Sequence, residues 1–232
     1  MASRGVVFDL FGTLVLGWGQ DTAAGKAAEI AAILGAPLPA FRDLMAATYT
    51  LRANGQLGDS LETVRHLAEM VGHDPSPVAV ERAAARRIAQ FREVLSIPRP
   101  EVSSLLAVLR ARGIGVGLIS DCSAETPIIW PTLPWAAPIQ AAVFSWSEGV
   151  RKPDPRLYLK VSALLGLTPG ECLYVGDGGS QELSGAARVG MEVCQLLAPR
   201  ADGQALLQYD PDPEWSGPVI SSLSEILPRL AC

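Results

Sequence analysis

The chain lacks the features that mark several large classes of protein. It has no cluster of basic residues, and its 24 acidic residues outnumber 19 basic ones, which argues against nucleic-acid binding. No apolar run is long enough to cross a bilayer, and no basic-then-apolar leader opens the chain. We see no internal repeat and no low-complexity segment. We therefore expect a soluble cytoplasmic protein with neither a membrane nor a nucleic acid as partner.

Cysteine is scarce, and its spacing forms no framework. The four cysteines are Cys122, Cys172, Cys194 and Cys232. They include no close pair of the kind that binds zinc, and two of them fall in apolar runs. This pattern predicts buried, reduced thiols instead of disulfides or a metal site.

Hydrophobic residues are abundant and unevenly arranged. They make up 49% of 232 residues, enough for one large domain or a core with a modest second domain. Residues 21–91 show helical periodicity with no strand pattern, whereas strands and helices alternate after Pro98 and Pro100. Alternation predicts a parallel α/β sheet with right-handed crossovers. The all-helical insert after the first strand is expected to form a cap over the strand ends.

The boundaries of these elements follow from local signals. Asp21 is a candidate N-cap for a helix that ends near Gly35, and further helices are expected through residues 41–49, from Asp59 or Ser60, and from Pro77. Met70 and Val108 are assigned to buried helix faces. Later helices are expected at 101–112, 153–165, 182–189 and 223–230, and a loop at 202–217. Strands are expected at 5–8, 114–120, 141–144, 172–176, 191–196 and 218–220.

The most informative stretch comes directly after the first predicted strand. It spans residues 8–14 and reads Phe-Asp-Leu-Phe-Gly-Thr-Leu. A carboxylate at the end of a buried strand, before a glycine turn, lies where open α/β sheets bind ligands. Aspartate is also a common helix N-cap, so Asp9 alone would be weak evidence. A carboxylate in this place can attack phosphorus or an activated carbon.

Three other polar residues lie at the ends of predicted strands or on the turns that follow. They are Ser120, Lys152 and Asp177. A serine at the end of a strand, such as Ser120, is more often a turn residue. Arg151, which directly precedes Lys152, is expected to be a solvated charge. Because the carboxyl ends of parallel strands share one edge of a sheet, we expect these three residues to meet Asp9 there.

In order, these four stretches resemble the four motifs of the haloacid dehalogenase-like hydrolase superfamily. The resemblance covers residues 5–14 and 113–196. It implies an α/β fold, with a parallel-sheet Rossmann-like core at residues 1–16 and 96–232. The insert at residues 17–95 resembles a helical first-type cap in its placement and helicity.

The resemblance also implies roles for individual residues. Asp9 would be the nucleophile, Ser120 would hydrogen-bond the transferred group, and Lys152 would neutralise charge at the site. Mg²⁺ would be bound by Asp9, the backbone carbonyl of Phe11, and Asp177. Further substrate contacts would come from Gly12, Thr13 and Asp121.

Phe11 departs from the family pattern, because most family phosphatases carry a second aspartate there. That aspartate protonates the leaving group and then activates water, which is worth about 10²–10⁴-fold in rate. We expect a phosphatase that prefers leaving groups needing little protonation, with Glu182 or Asp121 as the base that activates water. The substrate would be a small phosphorylated metabolite.

Three alternatives remain open. A 2-haloacid dehalogenase tolerates an aromatic residue in place of the aspartate, but Asp177 beside Asp9 would repel an anionic haloacid unless a cation lies between them. Its substrate carboxylate would need Arg42 or Arg52 from the cap, where helical arginines are more often solvated. A phosphonate hydrolase would need a cap lysine, and Lys26 is the only one. A binding protein without activity is the third alternative.

Two residues outside the motifs are also candidates, Trp18 for the pocket wall and Cys122 for a reactive thiol.

Overall fold

The computed structural model describes residues 3–198, 211–212 and 215–230. Its core is a six-stranded, all-parallel sheet with the strand order β3-β2-β1-β4-β5-β6. The predicted α/β class and parallel sheet are confirmed. The strands are β1 (Gly5–Phe8), β2 (Gly115–Ser120), β3 (Ala141–Phe144), β4 (Cys172–Gly176), β5 (Glu192–Leu196) and β6 (Val219–Ile220).

Ten α-helices are found among the described residues. Six lie between β1 and β2: α1 (Gln20–Leu34), α2 (Leu38–Ala47), α3 (Tyr49–Ala53), α4 (Ser60–Met70), α5 (Pro77–Leu95) and α6 (Val102–Ala111). The others are α7 (Glu125–Ile129), α8 (Ser145–Glu148), α9 (Pro155–Leu164) and α10 (Glu182–Arg188). Short 3₁₀ turns occur at Trp130–Thr132, Pro134–Ala136, Pro169–Glu171, Gly179–Gln181 and Leu223–Arg229.

The sheet is covered on both faces, as its continuous apolar strands require. Alternate residues of each strand point to opposite faces. Val6 and Phe8 join a cluster with side chains of α6, whereas Val7 joins a second cluster with side chains of α9 and α10. No helix among the described residues has both the length and the apolar character that a bilayer crossing requires.

Helices α1, α2, α4 and α5 have a hydrophobic cluster of their own. It includes Ile30, Phe41, Val64, Leu67 and Val80. As expected, α4 begins after Asp59, whose carboxylate accepts from two backbone N–H groups of the first turn, and α5 begins at Pro77. A separate cluster is what a cap over the sheet edge needs, although the division at residues 16/17 and 95/96 stays a prediction.

Some local expectations were wrong. The N-cap of α1 is Gly19, and Asp21 is the second residue of the helix. Met70 and Val108 are exposed instead of buried, because each lies at the margin of its helix's apolar face. Helices α7 and α8 were not predicted; at five and four residues they are too short for periodicity to show. Most of the predicted loop at 202–217, and Cys232, lie outside the described residues. Cys122, Cys172 and Cys194 are buried free thiols, as expected.

Candidate active site

The candidate site lies at the carboxyl edge of the sheet, where the strand order reverses around β1. Phe8 pairs with Val175 of β4, and the N–H of Asp9 donates to the carbonyl of Val175 at 2.9 Å. Since β1 also pairs with β2, Asp9, Ser120 and Asp177 all end at one edge. Such reversal points are where open α/β sheets bind ligands.

Asp9 is buried beside a single ammonium group. Its Oδ1 accepts from the Nζ of Lys152 at 2.6 Å, and its Oδ2 is buried with no hydrogen-bond partner among the described residues. Burial raises the pKa of Asp9, the nearby Glu182 raises it further, and Lys152 opposes both. The carboxylate therefore holds one oxygen in place and leaves the other directed at a ligand.

Lys152 is itself fixed by a second carboxylate. Its Nζ bonds to Oε2 of Glu182, and the hydroxyl of Tyr174 donates to the same oxygen at 2.8 Å. The N–H of Gly178 donates to Oε1 of Glu182 at 2.9 Å. Glu182 is completely buried and both of its oxygens are engaged. This arrangement suits a role for Glu182 in positioning Lys152. It is less suited to a base, which must reach water.

Two hydroxyl groups in the site also lack protein partners. The Oγ1 of Thr13 and the Oγ of Ser120 are fully buried, and neither has a hydrogen-bond partner among the described residues. A buried hydroxyl left unpaired costs about 1–3 kcal/mol. Together with Oδ2 of Asp9, they make three buried polar atoms that have no hydrogen-bond partner among the described residues.

Three carboxylates of the site can hold a cation. Asp9, Asp177 and Glu182 each offer an oxygen, and these atoms lie within 4.8 Å of one another. Lys152 pairs with two of them, Asp9 and Glu182. Oxygen donors of this kind suit a hard divalent cation such as Mg²⁺. The residues therefore fit the ion that the sequence predicts.

The turn after Asp9 requires glycine. Gly12 has φ +91°, and a Cβ there would lie 2.3 Å from Oδ2 of Asp177. The Nη2 of Arg99 donates to the carbonyl of Gly12 at 2.8 Å and fixes the turn. Phe11 precedes this glycine, so its backbone lies in the turn that packs on Asp177. Its role as a carbonyl ligand stays a prediction.

Asp121 lies at the junction between the sheet edge and the helices above. Its Oδ1 accepts from the N–H of Lys152 at 2.9 Å and its Oδ2 from Arg151 at 3.4 Å. Burial raises the pKa of Asp121. Arg151 was expected to be solvated, which was wrong: it is partly buried, and its guanidinium lies 5.2 Å from the ring centroid of Tyr49.

A cavity of about 340 Å³ lies between the sheet edge and helices α1, α2, α3 and α5. Phe11, Asp121 and Asp177 line its floor, and Trp18 lines its wall as expected. Arg42 and Arg52 both line it. Arg42 is exposed, but Arg52 is buried, contrary to the expectation of a solvated face.

Cys122 also lines this cavity, but its chemistry does not favour a reactive thiol. Burial raises the pKa of the Cys122 thiol to about 12. The group is therefore protonated at neutral pH, whereas the nucleophilic form of cysteine is the thiolate.

Sequence reasoning missed a buried ion pair at the junction with the cap. The Nε of Arg87 on α5 donates to Oε1 of Glu125 on α7 at 2.7 Å, and Ser60 of α4 donates to the same oxygen at 2.8 Å. Ser123 donates to the other oxygen at 2.5 Å. Nothing in the local pattern marks this group, because Arg87 and Ser60 lie 38 and 65 residues from Glu125.

Fold and site together define a hydrolase with a buried aspartate at the edge of a parallel sheet. Residues 4–190 match the haloacid dehalogenase-like hydrolase family, and the chain belongs to that family. The resemblance seen in the sequence is thereby confirmed.

The relatives include phosphatases and dehalogenases. A phosphoglycolate phosphatase of Yersinia pseudotuberculosis serotype I is 30% identical, with 99% of this chain and 94% of that protein aligned. A glyceraldehyde 3-phosphate phosphatase of Methanopyrus kandleri is 31% identical over 134 residues, and the chain spans about half the length of that enzyme (56% of each chain). A solved 2-haloacid dehalogenase from Pseudomonas syringae pv. tomato DC3000 has a TM-score of 0.67 at 22% identity, with 98% of this chain and 97% of that chain covered.

Proposed function

We propose that the protein is a phosphatase that hydrolyses small phosphorylated molecules through an aspartyl-phosphate on Asp9. The observation that carries this proposal is the set of unpartnered buried groups at the sheet edge: Oδ2 of Asp9 with the hydroxyls of Thr13 and Ser120. A nucleophilic oxygen next to two hydroxyl donors and the Lys152 ammonium matches the needs of a phosphoryl group. The phosphatases among the relatives support the same reaction.

The chain's own residues account for both steps. Oδ2 of Asp9 forms a bond to phosphorus while the bond to the leaving oxygen breaks, and the leaving group takes the electron pair. Thr13, Ser120 and Lys152 donate to the phosphoryl oxygens. Water then attacks phosphorus, which releases inorganic phosphate and restores Asp9. Preorganised donors of this type stabilise the charge that develops in the transition state.

Asp9, Asp177 and the carbonyl of Phe11 are the proposed ligands of Mg²⁺. When bound, the ion supplies charge neutralisation between the nucleophile and an anionic substrate. Glu182, although close enough to contribute an oxygen, is engaged by Tyr174, Lys152 and a backbone N–H, and we assign it to positioning Lys152.

Asp121 is the proposed base for the water. It lines the cavity, whereas Glu182 does not. Desolvation raises the pKa of Asp121, which makes the carboxylate a better proton acceptor at neutral pH.

Phe11 narrows the range of leaving groups. It lines the cavity and stands at the motif position where family phosphatases carry the acid that protonates the leaving oxygen, and a phenyl ring supplies no proton. Phenolates and carboxylates leave without protonation, so aryl and acyl phosphates should react faster than alkyl phosphates. Equal rates for alkyl and aryl phosphates would contradict this reasoning.

The same residue favours one other reaction, the hydrolysis of 2-haloacids. Halide leaves without a proton, and an apolar ring beside the nucleophile suits a carbon–halogen bond. The excess of carboxylates around Asp9 opposes it, because an anionic haloacid would meet Asp177 and Glu182. We therefore rank it second.

Phosphate release tests the proposal. Acetyl phosphate and p-nitrophenyl phosphate are each incubated with the protein in Mg²⁺ or in EDTA, and chloride release from 2-chloropropionate is measured in parallel. We expect phosphate release that needs Mg²⁺ and that falls by at least about 10³-fold in Asp9→Asn, because the nucleophile is removed. Asp154→Asn is the matched control, since Asp154 caps α9 outside the site. Chloride release without phosphate release would replace the proposal with the dehalogenase reaction.

A further inference from the structure

The cavity lined by Phe11, Gly12 and Asp177 is larger than a two-carbon phosphate needs. Its volume of about 340 Å³ is in the range of pockets that enclose ligands of drug size. Five aromatic side chains line it: Phe11, Trp18, Phe41, Tyr49 and Phe91. The chain has only 14 aromatic residues, so this cavity holds more than a third of them.

Three of these aromatic rings pack against one another and form a wall of the cavity. Phe91 contacts Phe11 edge-to-face, with ring centroids 6.3 Å apart, and Trp18 at 4.7 Å. The guanidinium of Arg87 covers the Phe91 ring at 5.6 Å from its centroid. Phe11 belongs both to the catalytic turn and to this wall. A group leaving from phosphorus at Asp9 therefore departs alongside aromatic surface.

Three of the four basic side chains that line the cavity are engaged by the protein itself, and the fourth, Arg42, is exposed. Lys26 pairs with Glu93, Arg87 pairs with Glu125, and Arg52 donates to a backbone carbonyl at 2.7 Å. Their charges are compensated or their donors used, so the described wall offers mostly aromatic and aliphatic surface to a ligand. Small polar acids gain little from such a wall, whereas a ring gains both burial and stacking.

We infer that the substrates are aryl phosphates, in which an aromatic ring is attached to the leaving oxygen. This inference rests on the proposed phosphatase function and narrows it to a substrate class. The ring of the substrate packs on the wall that Phe11, Trp18 and Phe91 form. The phenolate takes the electron pair of the broken P–O bond and leaves unprotonated, which matches the lack of an acid at position 11.

Binding of two phosphonates separates recognition of the ring from leaving-group chemistry. Benzylphosphonate and methylphosphonate have the same type of head group and differ by a phenyl ring. Calorimetric titration of the Mg²⁺-loaded full chain should show benzylphosphonate binding at least about tenfold more tightly, since a buried ring is worth that much or more. Equal dissociation constants, or no binding of either compound, would overturn the inference.

Matched tryptophan variants test whether the aromatic wall causes the preference for benzylphosphonate. Trp18→Leu should reduce the preference for the ring to below about threefold, because it removes aromatic wall. Trp130→Leu is the control: Trp130 packs against Trp135 at 5.6 Å and does not line the cavity. Phe91→Leu repeats the test at a second wall position. An unchanged preference in both wall variants would contradict the proposal.

Failure of this inference can be told apart from failure of the phosphatase function. Mg²⁺-dependent hydrolysis of acetyl phosphate without a preference for the ring would reject the aryl class and leave the phosphatase standing. Lack of hydrolysis of acetyl and aryl phosphates alike would reject both.

Discussion

Substituting Glu125 with glutamine tests whether a buried ion pair holds the helical insert against the sheet. Glu125 has no exposed side-chain surface, and its partner Arg87 has 5%. Burial alone would raise the pKa of Glu125, but the charge and hydrogen bond of Arg87 and the hydrogen bond of Ser123 lower it to about 2. Since one pKa unit is about 1.4 kcal/mol, lowering the pKa from 4.5 to about 2 corresponds to roughly 3 kcal/mol.

A second line of reasoning gives a similar magnitude. Removing one partner of a buried pair leaves the other charge uncompensated and costs about 3–5 kcal/mol. We therefore expect Glu125→Gln to lower the free energy of unfolding by about 3 kcal/mol at pH 7. For a chain of this size the melting temperature should fall by about 6–12 °C.

The dependence on pH has a definite sign. Because folding lowers the pKa of Glu125, its contribution is fully present above the unfolded value near 4.5 and is lost as the pH falls through about 2. The difference in the free energy of unfolding between wild type and Glu125→Gln should shrink from about 3 kcal/mol at pH 7 to about 1.5 kcal/mol near pH 3. Urea unfolding followed by circular dichroism measures it.

Glu148→Gln is the matched control for this experiment. Glu148 pairs with Lys160, whose side chain is 47% exposed. Pairs exposed in this way contribute less than about 1 kcal/mol. If Glu125→Gln cost no more than Glu148→Gln at pH 7, the reasoning about the buried pair would be refuted.

Two further predictions concern the candidate site. Gly12→Ala places a Cβ 2.3 Å from Asp177, so Mg²⁺ affinity measured by calorimetry should fall by about 10-fold or more. The control is Gly72→Ala, at φ +74° with open space around it, which should lose only about 1–2 kcal/mol of stability. Equal Mg²⁺ affinities in the two variants would reject this account. Tyr174→Phe removes the hydroxyl bonded to the Glu182 carboxylate, and kcat for p-nitrophenyl phosphate should fall about tenfold with a small change in KM. Tyr158→Phe, which removes a hydroxyl bonded only to the Glu182 backbone carbonyl, should keep kcat within about threefold, and similar kcat values in both variants would show that Tyr174 does not act through the carboxylate.

The sheet and the placement of the site could be predicted because both depend on local patterns. Continuous apolar runs mark strands buried on both faces, and parallel connections place their carboxyl ends together. Asp9, Ser120 and Asp177 follow such runs, so strand identity alone brought them to one edge. The two short helices after β2 and β3 gave no periodic signal, and their residues were left without an assignment.

The partners within the site could not be predicted in the same way. Lys152 meets Asp9 across 143 residues of sequence, and Arg87 meets Glu125 across 38. Helical periodicity tells which residues lie on one face of a helix, but it does not tell which neighbour that face packs against. Arg52 shows the consequence, since a helical arginine expected in solvent is buried against the cavity.

The sequence by itself therefore determined the α/β class and the residues that end at the sheet edge, because these depend on the order and period of apolar segments. The resemblance of its four motifs indicated the family. Only the tertiary structure decided which carboxylates are engaged and which oxygen of Asp9 is left for a ligand. It also decided that the cavity is aromatic, since Phe11, Trp18 and Phe91 come from separate segments. Partner choice and cavity shape arise from packing between distant segments, and no local pattern encodes them.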